Sequence, residues 1–348
     1  MKNFNQKVAF RSATILFFGA LLSMFTFVSC DKNEDEKPSS VLEQEYFSIQ
    51  NATVHQGAIP QLTSGSSIGS VTINRNVLPG GSSFVSINSA ETISEIYVSV
   101  EGVNEYYSLT SLSAQAITRA SAQSQAASTF VILFSQNLSI SFTIQISALL
   151  SNGTLTTLYT APLHFVNAGT GALQVSLSFD NDKDVDLYVV EPSGQVIYYG
   201  NRGGDLEYDE ETGEYYRTWG LDIDSNPSCS IDGINNENVY YSTENIQSGK
   251  YEVWVNMYEN CDASIATNWI IRATKEGALV PVTLGQNPAS GVFPIGTPSN
   301  SIGASLNGAL KVMEFNMQGT AQSTSAVMQS STVIDPSAVM KLNKAAGR

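Results

Sequence analysis

The sequence predicts an all-β protein, with two β-sandwich domains in tandem behind a secretion leader and an acidic tether. Apolar and polar residues alternate along several segments, a pattern typical of strands with one buried face. Turn-forming stretches such as "NRNVLPGGSS", "EGVNE" and "SNGT" separate these segments. Short strands with regularly spaced turns are typical of sandwiches. The clearest alternation places on one face Leu138, Ile140, Phe142, Ile144 and Ile146.

The first 29 residues have the features of a secretory signal peptide. Lys2, Lys7 and Arg11 precede the apolar run "ATILFFGALLSMFTFV". The run ends in "FVSC", which resembles a bacterial lipoprotein signal, although Phe27 stands where leucine is more usual. An ordinary cleaved signal or an uncleaved anchor helix is the alternative, but the run is short for a span of ~20 residues. The resemblance implies that Cys30 becomes the lipidated first residue of the mature protein and anchors it to a membrane.

The tether, residues 30–44, begins with the acidic stretch "DKNEDEKPSS" after the cysteine. This resembles the surface-export signal of Bacteroidetes lipoproteins; the alternative is a solvated tether without an export role. Both interpretations place the protein outside the cytoplasm. We expect an outer-membrane lipoprotein exposed on the cell surface.

The net charge of the chain excludes one class of partner. The formal charge is −15, and removal of the leader, with its three basic and no acidic residues, makes it −18. Such a chain is repelled by phosphate backbones, so we expect no nucleic-acid partner. An unknown protein or glycan partner fits the surface location better.

Two cysteines other than Cys30 are present, Cys229 and Cys261. In an oxidising compartment two such cysteines pair. Zinc or redox chemistry would favour closer spacing and nearby histidines, and the chain has only His55 and His164. The sequence therefore predicts a disulfide.

The strand pattern divides the mature chain into two domains and a tail. Residues 45–167 are predicted to form a seven-stranded immunoglobulin-like sandwich. Residues 171–317 are predicted to form an acidic, jelly-roll-like sandwich, with a hinge at "NAGTG" between the two. Residues 318–348 are small and polar, and we expect a low-complexity tail.

Acidic residues are concentrated in the second domain, where residues 180–262 hold 19 of the chain's 32. The segment "SFDNDKDVDLYVVEPSG" has aspartate at every second position, and "LDIDSN" follows the same pattern. In an extended strand these carboxylates share the outward face. Oxygen ligands in such number suit calcium, which takes six to eight of them, better than zinc or copper. Solvated turn carboxylates are the alternative.

Residues 172–262 also resemble a family of secreted bacterial β-domains of unknown function. The resemblance rests on "DVDLYVVEPSGQVIYYGN", "GLDIDSN", "NENVYY" and "GKYEVWVNMY", which match a D-x-D-L-x-V-x-E-P-x-G opening, a later L-D-x-D and an E-N pair. The family has no established activity. We expect the matched residues to converge on a structural calcium ion at one edge of the sandwich. The expected ligands are Asp184, Asp186, Asp222, Asp224 and Glu237, with Asp182 and Asn226 as further candidates.

Ten of the fifteen tyrosines lie between Tyr188 and Tyr258, and the loop 206–219 is both acidic and aromatic. Its Tyr215, Tyr216 and Trp219 could form an exposed platform that stacks on sugars, or could pack against the domain.

No histidine and serine suggest a catalytic pair. The sequence therefore predicts a non-catalytic cell-surface lipoprotein, an interaction or adhesion module with a calcium-stabilised sandwich. The alternative is a carbohydrate-binding surface lipoprotein, and a hydrolase is less favoured.

Overall fold

The computed structural model describes residues 40–110, 126–211 and 213–317. They belong to one compact unit, Ser39–Arg348. The leader, Cys30 and the tail 318–348 lie outside the described residues. Within the described part of the chain, no helix is both long and apolar enough to cross a membrane.

The first sandwich follows a single π-helical turn at Leu42–Tyr46. A four-stranded sheet of order β1-β8-β5-β3 packs on a six-stranded sheet of order β2-β7-β6-β9-β10-β4. The strands are β1 (Phe47–Ile49), β2 (Thr53–Gln56), β3 (Ser70–Ile73), β4 (Asn76–Val77), β5 (Ser82–Ser89), β6 (Ile93–Val100), β7 (Glu105–Thr110), β8 (Ala126–Phe134), β9 (Phe142–Leu150) and β10 (Tyr159–Phe165). Seven strands were predicted for this sandwich, and it contains more, of which β1, β2, β3 and β4 are short edge strands.

The period-two pattern that predicted this sandwich is confirmed within β9. Phe142, Ile144 and Ile146 enter its core, whereas Ile140 is 55% exposed. The strand begins only at Phe142, so Ile140 lies in the preceding turn and does not share the buried face. The core begins earlier than the predicted domain, since Leu42 is fully buried in it.

The second sandwich packs a sheet of order β16-β17-β11-β19-β20, with β22 also paired to β19, on a sheet of order β13-β12-β18-β23-β21. A separate hairpin joins β14 and β15. Short 3-10 turns lie at Pro227–Cys229 and Thr243–Asn245. The strands are β11 (Leu173–Phe179), β12 (Asp184–Val190), β13 (Val196–Ile197), β14 (Leu206–Asp209), β15 (Glu214–Arg217), β16 (Gly220–Ile223), β17 (Asn236–Tyr241), β18 (Gly249–Glu259), β19 (Thr267–Lys275), β20 (Ala278–Leu279), β21 (Val282–Gly285), β22 (Ala289–Phe293) and β23 (Leu310–Met317).

The two sandwiches pack directly on each other, so the predicted hinge does not separate independent bodies. The outward face of β11 consists of Gln174, Ser176 and Ser178, whose small or uncharged side chains allow another layer to approach. Ser176 Oγ donates to the Gly80 carbonyl, and the Gln174 amide donates to the Pro79 carbonyl, both from the first sandwich. Phe84, Leu133 and Ile270 form a small apolar cluster across the same interface.

Strand β12 has the predicted parity, but its outward face is not exposed to solvent. Val185, Leu187 and Val189 enter the core, while Asp184, Asp186 and Tyr188 alternate with them. The segment 299–307 covers the outward face, where the Asn256 amide donates to the Asn300 carbonyl and the Tyr188 hydroxyl to the Ile302 carbonyl. Both aspartates are consequently at most 3% exposed.

The four aspartates of the opening segment do not lie along one extended strand. The chain turns between β11 and β12, where the Lys183 amide donates to the Asn181 carbonyl. Asp180 instead accepts hydrogen bonds from the backbone and side-chain amides of Asn268. The turn separates Asp180 and Asp182 from Asp184 and Asp186.

Candidate metal centre

Three carboxylates from three different segments meet beside β12. Asp186 comes from β12, Glu237 from β17, and Asp224 from the residues that follow β16. One carboxylate oxygen of each lies within 4.8 Å of those of the other two. Asp186 and Glu237 are 3% and 1% exposed. These are three of the ligands that the sequence predicted, and they lie close enough to share one ion.

Glu237 reaches this position because β12 has a free edge. Strand β13 pairs only with Val189 and Val190, which leaves the Leu187 amide without a strand partner on that side. That amide donates to Glu237 Oε2 at 2.8 Å. The other oxygen, Oε1, has no hydrogen-bond partner among the described residues. A buried acceptor without a hydrogen-bond partner is destabilising by about 1–3 kcal/mol, and by more when it is charged. A cation bound to Oε1 would remove this cost.

Asp184 lies next to the three clustered carboxylates. The Ser228 amide donates to Asp184 Oδ2 at 2.6 Å, and the Tyr188 hydroxyl donates to Asp186 Oδ2 at 2.8 Å. Asp184 and Asp186 lie two residues apart on the same face of β12. Two buried carboxylates on one face repel each other unless a proton or a cation lies between them.

The electrostatics of the cluster oppose the ionisation of its members. Burial raises the pKa of Asp184 from 3.8 to about 6. Burial, followed by the charge of Asp184, raises the pKa of Asp186 well above its ordinary value. Burial, followed by the charges of Asp186 and Asp224, does the same to the pKa of Glu237. Burial and mutual repulsion therefore both favour the neutral forms of these side chains.

Arg202 forms an ion pair with Asp224, and among the described residues this is the one ion pair to the four carboxylates. Its position is fixed by the backbone, where the Leu221 amide donates to the Arg202 carbonyl at 2.8 Å. Gly220, at φ +104°, makes this approach possible, because a Cβ there would lie 1.9 Å from the Arg202 carbonyl oxygen. One guanidinium thus faces four carboxyl groups. Sequence reasoning missed it, because Arg202 is 22 residues from Asp224 and no local pattern links the two.

The remaining predicted ligands lie elsewhere or are fully hydrogen-bonded. A bulge after Leu221 turns Asp222 toward the Gly169 amide and the Asn238 side chain, and burial raises the pKa of Asp222 to about 6. Asp182 is exposed in the turn before β12. Asn226 is fully buried, but its amide group donates to the Lys183 carbonyl and to Asn235. It supports the backbone beside Asp184 without facing the cluster.

The predicted disulfide between Cys229 and Cys261 is confirmed, with 5.7 Å between the two Cα atoms. It ties the turn at Pro227–Cys229 to the chain just beyond β18. The Ser228 amide that donates to Asp184 lies in that turn, so the disulfide holds one wall of the carboxylate cluster. Lys183 is buried nearby but donates to Asn260 and to the Asp262 carbonyl, away from the carboxylates.

The three residues of the predicted aromatic platform divide between surface and interior. Tyr215 and Tyr216 are 68% and 48% exposed on the hairpin. Trp219 packs against the core of the second sandwich, with its ring centroid 5.6 Å from that of Tyr241. Trp219 therefore anchors the hairpin, and the exposed aromatic surface consists of tyrosines.

Comparison with known proteins adds little to this geometry. No protein-family model matches the chain, and no curated protein is significantly similar to it. Among solved structures, the fibronectin(III)-like modules of Clostridium thermocellum CbhA are 12% identical over 60% of this chain and 86% of their own, with a TM-score of 0.18. The C-terminal domain of the Streptococcus pyogenes antigen I/II-family protein AspA is 12% identical over 66% of this chain and 97% of its own, with a TM-score of 0.17.

Proposed function

We propose that this protein is a non-catalytic surface lipoprotein that serves as an interaction module, and that a calcium ion stabilises its second sandwich. The observation that supports calcium most directly is the convergence of Asp186, Asp224 and Glu237, with one oxygen of each within 4.8 Å of the others. Buried like charges at this distance repel strongly, and a divalent cation converts the repulsion into attraction.

The donor set favours a hard cation of flexible coordination. The cluster offers carboxylate oxygens alone, and Asp184 lies next to it on β12. Calcium accepts six to eight oxygens at ~2.4 Å in variable geometry, whereas magnesium requires a near-ideal octahedron with shorter bonds. Three or four carboxylates from separate segments, completed by water, suit calcium better.

The burial of the cluster argues against its use in hydrolysis. A glycosidase needs an acid and a base that flank an accessible glycosidic bond. Asp186 and Glu237, at 3% and 1% exposed, cannot contact a substrate of that size. Elsewhere, the ring of His55 lies 2.9 Å from the Ser108 hydroxyl, but it stacks on Tyr106 across two adjacent strands. The burial of these carboxylates therefore supports an ion site in a binding protein.

Thermal unfolding of the purified full chain tests this proposal. At calcium concentrations about 100 times the dissociation constant, the ion adds ~2.7 kcal/mol to the free energy of unfolding. For a sandwich of this size that corresponds to a rise in Tm of roughly 5–10 °C, reversed by a chelator. Magnesium at the same concentration should give a smaller shift. An unchanged Tm at millimolar calcium would contradict the proposal.

A further inference from the structure

A cleft of about 520 Å³ lies beside the metal centre, between the β14–β15 hairpin and the body of the second sandwich. Its volume is within the range of ~300–1,000 Å³ that is typical of small-ligand sites. Three tyrosines and two arginines line it, Tyr215, Tyr216, Tyr240, Arg202 and Arg217, together with the carboxylates of Asp209 and Asp222. Aromatic rings, guanidinium groups and carboxylates therefore share one concave surface.

The aromatic wall consists of Tyr215 and Tyr216, neighbours on β15 whose side chains extend from opposite faces of the hairpin. Tyr215 is 68% exposed and Tyr216 48%. The Tyr216 hydroxyl donates to Glu207 on the facing strand of the hairpin, which holds the ring in place. Exposed, oriented tyrosine faces pack well against the C–H face of a pyranose ring, because each ring provides a large rigid surface with a polar edge. This wall suits a sugar.

The polar groups of the cleft differ in how firmly they are held. Asp222 accepts hydrogen bonds from the Gly169 and Ile223 amides and from Asn238, so it is committed to the fold. Arg217 donates to the Gly203 and Gly204 carbonyls. Arg202, by contrast, is held through its contact with Asp224, and its side chain is 36% exposed. It is the group in the cleft whose partner also belongs to the metal centre.

Arg202 and a bound cation compete for the same carboxylate. A guanidinium next to a divalent ion is repelled by it, and Asp224 cannot satisfy both at full strength. We propose that the cleft binds a carboxylate-bearing sugar, and that cation binding releases Arg202 from Asp224 to pair with the carboxylate of that sugar. A guanidinium binds a carboxylate through two parallel hydrogen bonds, which gives the site its preference for acidic sugars. The proposal rests on the calcium site proposed above.

The competition is tested by measuring calcium affinity, with calorimetry on the full chain. We expect Arg202→Gln to bind calcium about fivefold more tightly than the natural protein, the effect of removing an ion pair worth ~1 kcal/mol. Arg217→Gln is the matched control, since it removes one positive charge from the same cleft without touching Asp224. An equal gain in both variants, or weaker binding by Arg202→Gln, overturns the release of Arg202. If the natural protein does not bind calcium, the calcium site itself fails.

The ligand is tested on an array of defined oligosaccharides that includes uronate- and sialate-bearing glycans and their neutral counterparts. We expect binding to carboxylate-bearing glycans, stronger by about tenfold with calcium than with chelator. Tyr215→Ala should abolish the binding and leave both the Tm and the calcium affinity unchanged. Ile295, which is 56% exposed and lies outside the lining of the cleft, provides a control in Ile295→Ala. No binding to any glycan, binding to neutral glycans alone, or binding that survives Tyr215→Ala overturns the proposal.

Discussion

Replacement of Glu237 by glutamine should have opposite effects on stability in the presence and absence of calcium. Without the ion, Glu237 is a buried carboxyl among like charges, and burial and the charges of Asp186 and Asp224 raise its pKa well above the ordinary value. Glutamine retains an oxygen for the Leu187 amide and removes the charge. We therefore expect Glu237→Gln to stabilise the calcium-free protein and to destabilise the calcium-bound protein relative to the natural chain.

Two energies bound the size of the stabilisation, the repulsion between the charges and the free energy of protonating Glu237. Two unit charges 4.8 Å apart repel by about 3–4 kcal/mol at an effective dielectric constant near 20. Protonation limits the total, because adding a proton at pH 7 to a group of ordinary pKa 4.5 costs about 3.4 kcal/mol. The calcium-free variant should therefore gain about 1–3 kcal/mol. With calcium at about 1,000 times the dissociation constant, the natural chain gains ~4.1 kcal/mol and the variant little, since the ion has lost one charged ligand.

The assay is urea-induced unfolding at pH 7 with millimolar calcium and with chelator, followed by tryptophan fluorescence. Glu191→Gln is the matched control. Glu191 is also a buried glutamate of the second sandwich, 3% exposed, with one oxygen that lacks a partner and a pKa raised by burial. Its effect should be the same in both buffers. A Glu237→Gln variant that is less stable than the natural protein in both buffers would refute the reasoning, because the negative charge of Glu237 would then stabilise the fold even without the ion.

Three further predictions follow from the same geometry. In chelator, the protonated Asp184 should contribute its full stabilisation below pH ~4, and this contribution should be lost as the pH rises through 6, because the pKa of Asp184 in the folded state is raised to about 6. Thermal melts from pH 4 to 8 measure this loss, which should be absent with calcium. Replacement of Cys229 and Cys261 by serine should cost roughly 3–4 kcal/mol in urea unfolding and weaken calcium binding, because the turn that carries Ser228 loses its tie; unchanged calcium affinity would contradict that role. Gln174→Ala should cost about 1–3 kcal/mol in the same assay by leaving buried partners in both sandwiches unpaired, and a neutral effect would show that the two sandwiches do not depend on this bridge.

The fold could be predicted from local patterns because strand parity is a local property. Phe142, Ile144 and Ile146 in β9 and Val185, Leu187 and Val189 in β12 face their cores as their alternation indicates. What covers the opposite face of a strand depends on distant chain segments. The outward side of β12 is buried under residues 299–307, and the outward side of β11 under the first sandwich. No local pattern shows either covering.

The carboxylate cluster shows the same limit at the level of single residues. Asp222 and Asp224 alternate in sequence, but one bulge in β16 turns Asp222 toward Asn238, and only Asp224 reaches Asp186. Glu237 alternates along β17 so that its side chain faces the core. There it contacts the edge of β12, which is accessible only because β13 pairs no further than Val189. Bulges and strand ends are set by pairing between segments, and the sequence pattern cannot show them.

The position of the cluster suggests what a bound ion would do for the fold. Asp186 belongs to the sheet that contains β12 and β18, whereas Glu237 and Asp224 come from the opposite sheet and the loop after it. A single ion bound by all three would cross-link the two sheets at the place where the free edge of β12 leaves the Leu187 amide to Glu237. The same ion would fix the loop that ends in the Cys229–Cys261 disulfide and, through Asp224, the environment of Arg202. Under the two proposals above, the supply of calcium would then determine both how stable the second sandwich is and whether Arg202 can pair with a ligand.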